Sequence, residues 1–317
     1  MSVSSSSSDK SLSASPLSPV LGPAGGRAVK WRGLHGSARG LAIASAAVHH
    51  NGPLLVIARS VPSAYQLADE IRFYAPDPQL PVRLFADTEC LPYDVFSPHQ
   101  GLIAERLETL YRFPTLTRGV VLVAASTLLQ RLPPPGYVAR YSFMLDIGDR
   151  LEIETLRQRL TQAGYRTVTQ VMEPGEYAVR GGLIDLYPVG GAHPYRIDLF
   201  DDRVETIREF DPETQRSGQV LSEIQLLPAR EVPLTDDAVQ KFRQRFRARF
   251  EGDPQKVLLY RDVSKGISPP GIEFFMPLFF DTTATLFDYA PAGTLFVMEH
   301  GVEQAARDFA RDVQARY

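Results

Sequence analysis

The stretch LHGSARGLAIA, residues 34–44, is the first place in this chain where residue types and spacing suggest chemistry. A phosphate-binding loop reads G-x-x-x-x-G-K-[ST]: its backbone amides cradle phosphates, its lysine neutralises them and its hydroxyl binds magnesium. If Gly40 is the second glycine, His35 takes the first glycine position, Leu41 the lysine position and Ala42 the hydroxyl position. Together with Gly36, these residues form a degenerate phosphate loop. We expect no ATP chemistry there, with residual nucleotide binding left open.

Other catalytic patterns are equally incomplete. The six histidines show no metal-binding spacing, and Cys90, the only cysteine, lacks the context of a nucleophile. We read Cys90 as a small buried hydrophobe. The acidic pairs Asp201-Asp202 and Asp236-Asp237 fit a tight turn and a helix start better than a pair of catalytic acids. The sequence therefore predicts no catalytic residue, no metal site and no cofactor.

The stretch RGGLIDLYPVGGAHPYRIDLF, residues 180–200, suggests binding rather than catalysis. It reads as two strands joined by a loop rich in glycine and proline. Side chains alternate between the faces of a strand, so residues 195–200 divide into an aliphatic face and a mixed one. The aliphatic face holds Tyr195, Ile197 and Leu199, and the mixed face holds Arg196, Asp198 and Phe200. If the aliphatic face is the core, Phe200 lies in water among charged residues.

Composition sets the limits of the interpretation. The 317 residues are 44% hydrophobic and 22% charged, which is typical of a globular protein of two or three domains. A net charge of −3 gives no overall attraction to nucleic acid. The sequence has no apolar run long enough to span a bilayer. Residues 1–28, rich in serine and proline, are predicted to be a disordered tail. We expect a cytoplasmic protein.

The elements that would position these residues fall into three zones. Residues 29–140 alternate helical and strand patterns, which indicates a parallel sheet covered by helices. Residues 141–228 read as short strands around one helix, an α+β insert. The helix is expected at 152–163 and strands at 167–172, 182–187, 195–200, 204–210 and 224–227. Residues 229–317 return to α/β character and include a strand candidate, buried by its composition, at residues 294–298. The fold class expected is therefore α/β, with an inserted α+β domain.

Within the third zone, residues 238–250 place three phenylalanines at helical spacing with four arginines between them. A solvated arginine face over a phenylalanine stripe is the favoured interpretation. A DNA-binding helix is the alternative.

Three stretches of the sequence carry a resemblance to a known family. They are DTECLPYDVFSPHQGLIAERLETLYRF (87–113), GYRTVTQVMEPGEYAVRGGLIDLYPVGGAHPYRIDLFDDRVETIREFDPETQRS (164–217) and VSKGISPPGIEFFMPLFF (263–280). They resemble the N-terminal module of the bacterial transcription-repair coupling factors (Mfd), which is similar in fold to the repair subunit UvrB. With the regions between them, the resemblance runs from about residue 30 to the C-terminus.

The resemblance implies a split, helicase-like domain of the P-loop type with a degenerate loop. Its halves, 29–140 (domain 1a) and 229–317 (domain 1b), would be interrupted by an inserted UvrA-binding domain, 141–228 (domain 2). UvrB carries a long DNA-clamping hairpin in its first domain, and here Pro92 and Tyr93 run on into the next helix without room for one. RNA polymerase and duplex DNA would be bound by family domains absent from this chain.

Carried over by position, the UvrA-contacting residues of the family fall on Arg180, Arg196 and Phe200. Asp198, between the last two, is expected to orient the arginines. The alternative is that Phe200 only packs against Arg203 across the turn. We expect Arg196→Ala and Phe200→Ala each to weaken UvrA binding by about 1 to 4 kcal/mol without lowering the melting temperature.

The function implied is a non-catalytic module that recruits UvrA to RNA polymerase stalled at DNA damage. The alternative is a UvrB-like, ATP-dependent repair enzyme that binds nucleotide at the first α/β domain.

Overall fold

The computed structural model describes residues 15–22, 28–92 and 94–316. They form two compact units. The first is drawn from residues up to 84 together with 115–124 and 291–302, and the second comprises 85–114, 125–290 and 303–317. This division departs from the predicted zones, because residues 85–114 and 125–140 group with the second unit. The zone boundaries remain predictions.

The described residues contain the following regular elements. The strands are β1 Pro53–Ala58, β2 Val82–Leu84, β3 Gly119–Ala124, β4 Phe143–Asp146, β5 Arg166–Thr167, β6 Glu176–Arg180, β7 Leu183–Leu186, β8 Tyr195–Phe200, β9 Arg203–Phe210, β10 Ser217–Leu221, β11 Glu223–Leu226 and β12 Leu295–Met298. The α-helices are α1 Ala38–His49, α2 Val61–Tyr74, α3 Gln100–Arg112, α4 Ala125–Leu128, α5 Pro135–Tyr141, α6 Ile153–Gln162, α7 Asp236–Arg249, α8 Leu258–Ser264 and α9 Val302–Arg316. Short 3-10 helices span Phe113–Thr115, Pro254–Lys256, Ile272–Leu278 and Leu286–Tyr289.

A four-stranded parallel sheet, in the order β12-β1-β3-β2, is the centre of the first unit. Strands β1 and β3 are buried along their whole length, as expected for central strands covered on both faces. The strand predicted at residues 294–298 is confirmed as β12, but it is not buried. Phe296 and Met298 are more than half exposed because β12 forms the edge of the sheet.

A six-stranded sheet, in the order β10-β9-β8-β7-β6-β5, dominates the central part of the second unit. All its pairings are antiparallel except that of β5 with β6. Helix α6 contributes Leu156 and Leu160 to the core on one face of this sheet, together with Ile184 and Ile197. The chain therefore combines a parallel sheet with separate, mainly antiparallel ones. The predicted short strands around one helix are confirmed.

Two elements of this region differ from the prediction. The strand expected at residues 167–172 shrinks to β5, and β6 was not foreseen. Glu176, the first residue of β6, explains both differences. Its carboxylate accepts hydrogen bonds from the backbone N–H groups of Met172 and Glu173, 2.9 Å each, so residues 172–175 form a turn instead of continuing β5.

Helix α7 begins as predicted, with Asp236 and Asp237 in its first turn, and Thr235 accepts a hydrogen bond from the N–H of Ala238 at 3.4 Å. Phe242 and Phe246 are buried against Tyr260. The phenylalanine stripe is thus confirmed for its first two members, and Phe250 is 42% exposed.

The basic face of α7 is partly engaged within the protein. Arg245 forms an ion pair with Asp281 at 2.6 Å, and Arg247 donates to the hydroxyl of Tyr260 at 2.8 Å. These contacts favour a structural role for the arginines over the alternative of a DNA-binding helix.

Most of the predicted disordered tail, residues 1–14 and 23–27, lies outside the described residues. The described segment 15–22 makes contacts: the carbonyl of Val20 accepts a hydrogen bond from the indole of Trp31 at 2.9 Å, and Leu21 packs against the core of the parallel sheet. Across the part of the chain that the structure describes, every helix is too short or too polar to cross a bilayer.

Candidate protein-interaction site

Strands β6 to β9 are joined by turns that determine where the candidate residues lie. Gly181, with φ of 62°, and Gly182 connect Arg180 to Leu183 in a two-residue turn. Asp201, with φ of 55°, and Asp202 connect Phe200 to Arg203 in the same way. Asparagine, aspartate and glycine tolerate such left-handed conformations best. The tight turn predicted at Asp201-Asp202 is confirmed, and Phe200 lies at the very end of β8.

The two predicted faces of the hairpin are confirmed. Ile184, Leu186 and Ile197 are fully buried in the core, and Leu199 is partly buried against it. A bulge in β9 shifts the register after Asp198, which pairs with Thr206 while Leu199 pairs with Val204. The extra residue belongs to β9, so alternation continues undisturbed along β8.

Phe200 is 69% exposed, as the alternation predicts. Its cross-strand partner is Arg203, whose guanidinium donates to the carbonyl of Gly148 at 3.1 Å. Pairing with Arg203 therefore leaves most of the Phe200 ring in water. Exposed aromatic side chains on a rigid strand are common anchors of protein interfaces. We call Arg180, Arg196 and Phe200 the docking patch.

Arg196 is held far more tightly than the sequence suggests. Its Nε and Nη2 donate to the two carboxylate oxygens of Asp185 at 2.7 and 3.0 Å, and its Nη1 donates to the carbonyl of Gln215 at 3.0 Å. The guanidinium also lies 4.7 Å from the centre of the Phe210 ring. Only 16% of the side chain is exposed. The hydrogen bond to Asp185 raises the pKa of Arg196, and the negative charges of Asp185 and Asp198 add to this effect.

The expectation that Arg196→Ala leaves the melting temperature unchanged is therefore revised. Removing this guanidinium would leave the fully buried Asp185 carboxylate without its bidentate partner, so we expect Arg196→Ala to lower the melting temperature.

Arg180 differs from Arg196 in exposure. Its Nη2 bonds the same oxygen of Asp185 that accepts from Arg196 Nη2, but half of the side chain is exposed. Its position at the end of β6, next to the Gly181-Gly182 turn, leaves room for a partner's backbone to approach.

Asp198 does not orient the arginines by hydrogen bonding, which corrects the prediction. Its carboxylate accepts from the hydroxyl of Thr206 at 2.9 Å, its cross-strand partner, and reaches Arg196 only through its charge. Asp185, rather than Asp198, orients the two arginines by hydrogen bonding, because strand pairing places Asp185 directly opposite Arg196.

Asp185 has a signal in the sequence that could have identified it. It is the one acid within the apolar strand LIDL, and a buried acid needs a cationic partner.

The stretch that the sequence predicts to be a degenerate phosphate loop, residues 35–42, leads into helix α1 in the first unit. Residues 28–35 form neither helix nor strand, and Ala42 is buried. Gly40 packs so closely on α2 that a Cβ there would lie 3.2 Å from the carbonyl carbon of Glu70 and closer still to its side chain. Helix packing thus accounts for this glycine without any phosphate.

The carboxylate of Glu299 binds polar groups near the starts of α1 and α2. Glu299 forms an ion pair with Arg39, and its oxygens accept from the hydroxyl of Ser63 at 2.8 and 3.0 Å and from the backbone N–H of Arg59 at 2.9 Å. Only 6% of the Glu299 side chain is exposed. Arg39, the cation within the loop, is therefore already paired with a carboxylate of the protein itself.

Cys90 is buried, as predicted, and burial raises the pKa of its thiol, with nearby carboxylates adding to the effect. His99 starts α3, where its Nδ1 accepts from the N–H of Gly101 at 3.1 Å. Both residues have structural roles.

Comparison with known proteins places the docking patch in a recognised domain. Residues 143–232 match the model of the family described as UvrB interaction domain. The chain thus contains a UvrB interaction domain, and Arg180, Arg196 and Phe200 lie inside it.

The chain as a whole is related to the transcription-repair-coupling factors. That of Escherichia coli (strain K12) is 44% identical over 285 residues, which are 90% of this chain and 25% of that protein. The factor of Haemophilus influenzae is 48% identical over 240 residues, 74% of this chain and 21% of that protein. The factor of Bacillus subtilis is 30% identical over 284 residues, which are 84% of this chain and 24% of that protein. The chain therefore spans about a quarter of the length of these curated relatives.

Proposed function

We propose that this chain is the UvrA-recruiting module of a bacterial transcription-repair coupling factor, acting in the cytoplasm without catalysis of its own. In this proposal residues 141–228 bind UvrA. RNA polymerase and duplex DNA are partners of the longer protein. The observation that carries the proposal is the exposure of Phe200 and of half of Arg180 on one sheet of a UvrB interaction domain.

The parallel sheet fits the helicase-like split that we propose for the two outer segments. Its strand β12 comes from residues 295–298 and pairs with β1, so both ends of the chain contribute to one sheet. The engagement of Arg39 by Glu299 supports a degenerate, inactive phosphate loop.

Titration of purified UvrA against the chain and its Phe200→Ala variant tests the proposal. We expect the variant to bind about tenfold to a hundredfold more weakly, because an interface anchor is truncated. Its melting temperature should stay unchanged, since the ring is 69% exposed.

Phe73→Ala is the matched control. Phe73 is also highly exposed, at 81%, but it lies on α2 in the other unit. Its loss should leave UvrA affinity intact. Binding of Phe200→Ala with wild-type affinity would refute the proposed site, and absence of binding by the wild-type chain would refute the proposed function.

A further inference from the structure

Asp185 lies at the centre of the docking patch although it is absent from the surface. Its side chain is fully buried, yet it belongs to the same face of the sheet as Arg196, its direct cross-strand partner. Both carboxylate oxygens are occupied, one by Arg196 Nε and the other by Arg196 Nη2 and Arg180 Nη2. A single buried charge therefore holds two arginines that come from different strands.

The two arginines share Asp185 unequally. Arg196 is also bonded to Gln215 and lies over Phe210, so it is fixed from three sides. Arg180 is half exposed, and Asp185 is the one hydrogen-bond partner that it has among the described residues. Most of the five N–H donors of its guanidinium thus remain for a partner.

We infer that Asp185 is a positioning residue for partner binding: with Arg196 as its clamp, it holds Arg180 in place to bind a carboxylate of UvrA. This inference rests on the proposed function. Arginine recognises carboxylates through a planar fork of donors, and a guanidinium fixed in advance loses less entropy on binding.

The charges around Asp185 also indicate what the partner offers. Arg208 lies directly opposite Arg196 on β9, and like charges in such a position repel each other unless an anion compensates them. Asp185 and Asp198 carry two negative charges against the three positive charges of Arg180, Arg196 and Arg208, so one positive charge is left over. The remaining positive charge matches an acidic segment of the partner.

A double-mutant cycle in the full chain tests this role. UvrA affinity is measured for wild type, Asp185→Asn, Arg180→Ala and the double variant, well below the lowest melting temperature of the set. If Asp185 acts through Arg180, Asp185→Asn weakens binding about tenfold and Arg180→Ala adds almost nothing in its background. Full additivity of the two effects, or wild-type affinity of Asp185→Asn, would overturn the inference.

Glu176→Gln is the matched control for a merely structural effect. Glu176 is another buried carboxylate of the same sheet, bonded to Arg166 at 2.8 Å, but it lies at the opposite end of β6 from Arg180. We expect it to lower the melting temperature and leave UvrA affinity unchanged. Equal weakening by Glu176→Gln and Asp185→Asn would also overturn the inference.

If Asp185→Asn does not fold, a second starting variant is used in its place. The pair Asp185→Asn with Arg196→Gln removes both charges together, so no buried ion is left unpaired. Adding Arg180→Ala to this pair should change UvrA affinity less than twofold. A larger loss would show that Arg180 binds UvrA without Asp185. If wild type binds UvrA and only this cycle fails, the proposed function stands and the positioning role falls.

Discussion

Arg196 supports a buried charge, a role that the sequence does not reveal beside the contact with a partner that we propose for it. The spacing of Arg196 and Phe200 on β8 was enough to place both on the outer face. Exposure then distinguishes them: the arginine is 16% exposed and the phenylalanine 69%. The sequence does not distinguish them, because alternation reveals the face of a strand but not how deeply a side chain on that face is buried.

A stability measurement can resolve the role of Arg196. We predict that Arg196→Ala lowers the free energy of unfolding by about 3 kcal/mol, because it leaves the Asp185 carboxylate buried with one hydrogen-bond partner fewer on each oxygen. Urea denaturation measures this change. Arg180→Ala, the exposed member of the same cluster, should cost less than half as much. If both substitutions lower the free energy of unfolding by the same small amount, Arg196 does not support the Asp185 carboxylate as proposed.

Among the elements, strand β6 shows where sequence patterns are insufficient. The run EYAVR has three successive apolar residues between a buried glutamate and an arginine, so it shows no alternation of apolar and polar residues. Strands β8 and β9 were found almost to the residue, because their apolar positions alternate regularly and a turn of aspartates separates them. The signal missing for β6 is a set of hydrogen bonds that only the folded turn supplies.

The same glutamate predicts a dependence on pH. Burial favours its neutral form, but the N–H groups of Met172 and Glu173 and the charge of Arg166 outweigh burial and lower the pKa of Glu176 below its ordinary 4.5. A group whose pKa is lowered by folding stabilises the protein above its unfolded pKa, and this contribution disappears as pH falls through the folded value.

Melting temperatures from pH 7 to pH 3 test this prediction. Wild type should exceed Glu176→Gln at neutral pH, by an amount equivalent to about 1 kcal/mol, and the two should converge as the pH falls below about 4. A constant difference down to pH 3 would contradict the role given to Glu176.

Packing of α1 against α2 gives a further prediction. Gly40→Ala brings a Cβ against the backbone and side chain of Glu70, so we expect a loss of about 1 to 3 kcal/mol in spite of the better helix propensity of alanine. Thermal unfolding measures it. Gly136→Ala, in helix α5 with nothing near the added Cβ, is the control and should not destabilise. An unchanged melting temperature for Gly40→Ala would reopen a phosphate-binding explanation for this glycine.

For the whole molecule, the alternative of an ATP-dependent enzyme leads to a direct measurement. We predict no saturable binding of labelled ATP with magnesium in equilibrium dialysis, because Leu41 and Ala42 lack the needed groups and Arg39 is paired with Glu299. Glu299→Gln frees Arg39 but restores neither lysine nor hydroxyl, so this variant should also fail to bind. Saturable binding at micromolar ATP by the wild-type chain would favour the enzyme.

The sequence predicted the α/β character of the molecule better than its connectivity. Central strands such as β1 and β3 are recognisable because burial on both faces demands continuous apolar runs. No local pattern could show that Leu54 pairs with Leu295, since the pairing depends on the arrangement of the whole chain.

That pairing has a consequence for how the protein is made. A ribosome releases the chain from its N-terminus, so β1 emerges long before β12, and the edge of β1 stays unpaired until residues 295–298 have been synthesised. Strands β6 to β10 follow one another closely in sequence and can pair as soon as they emerge. The sheet that carries Phe200 can thus form early in synthesis, while the parallel sheet keeps the edge of β1 open, exposed to chaperones and to neighbouring chains, until β12 has been made.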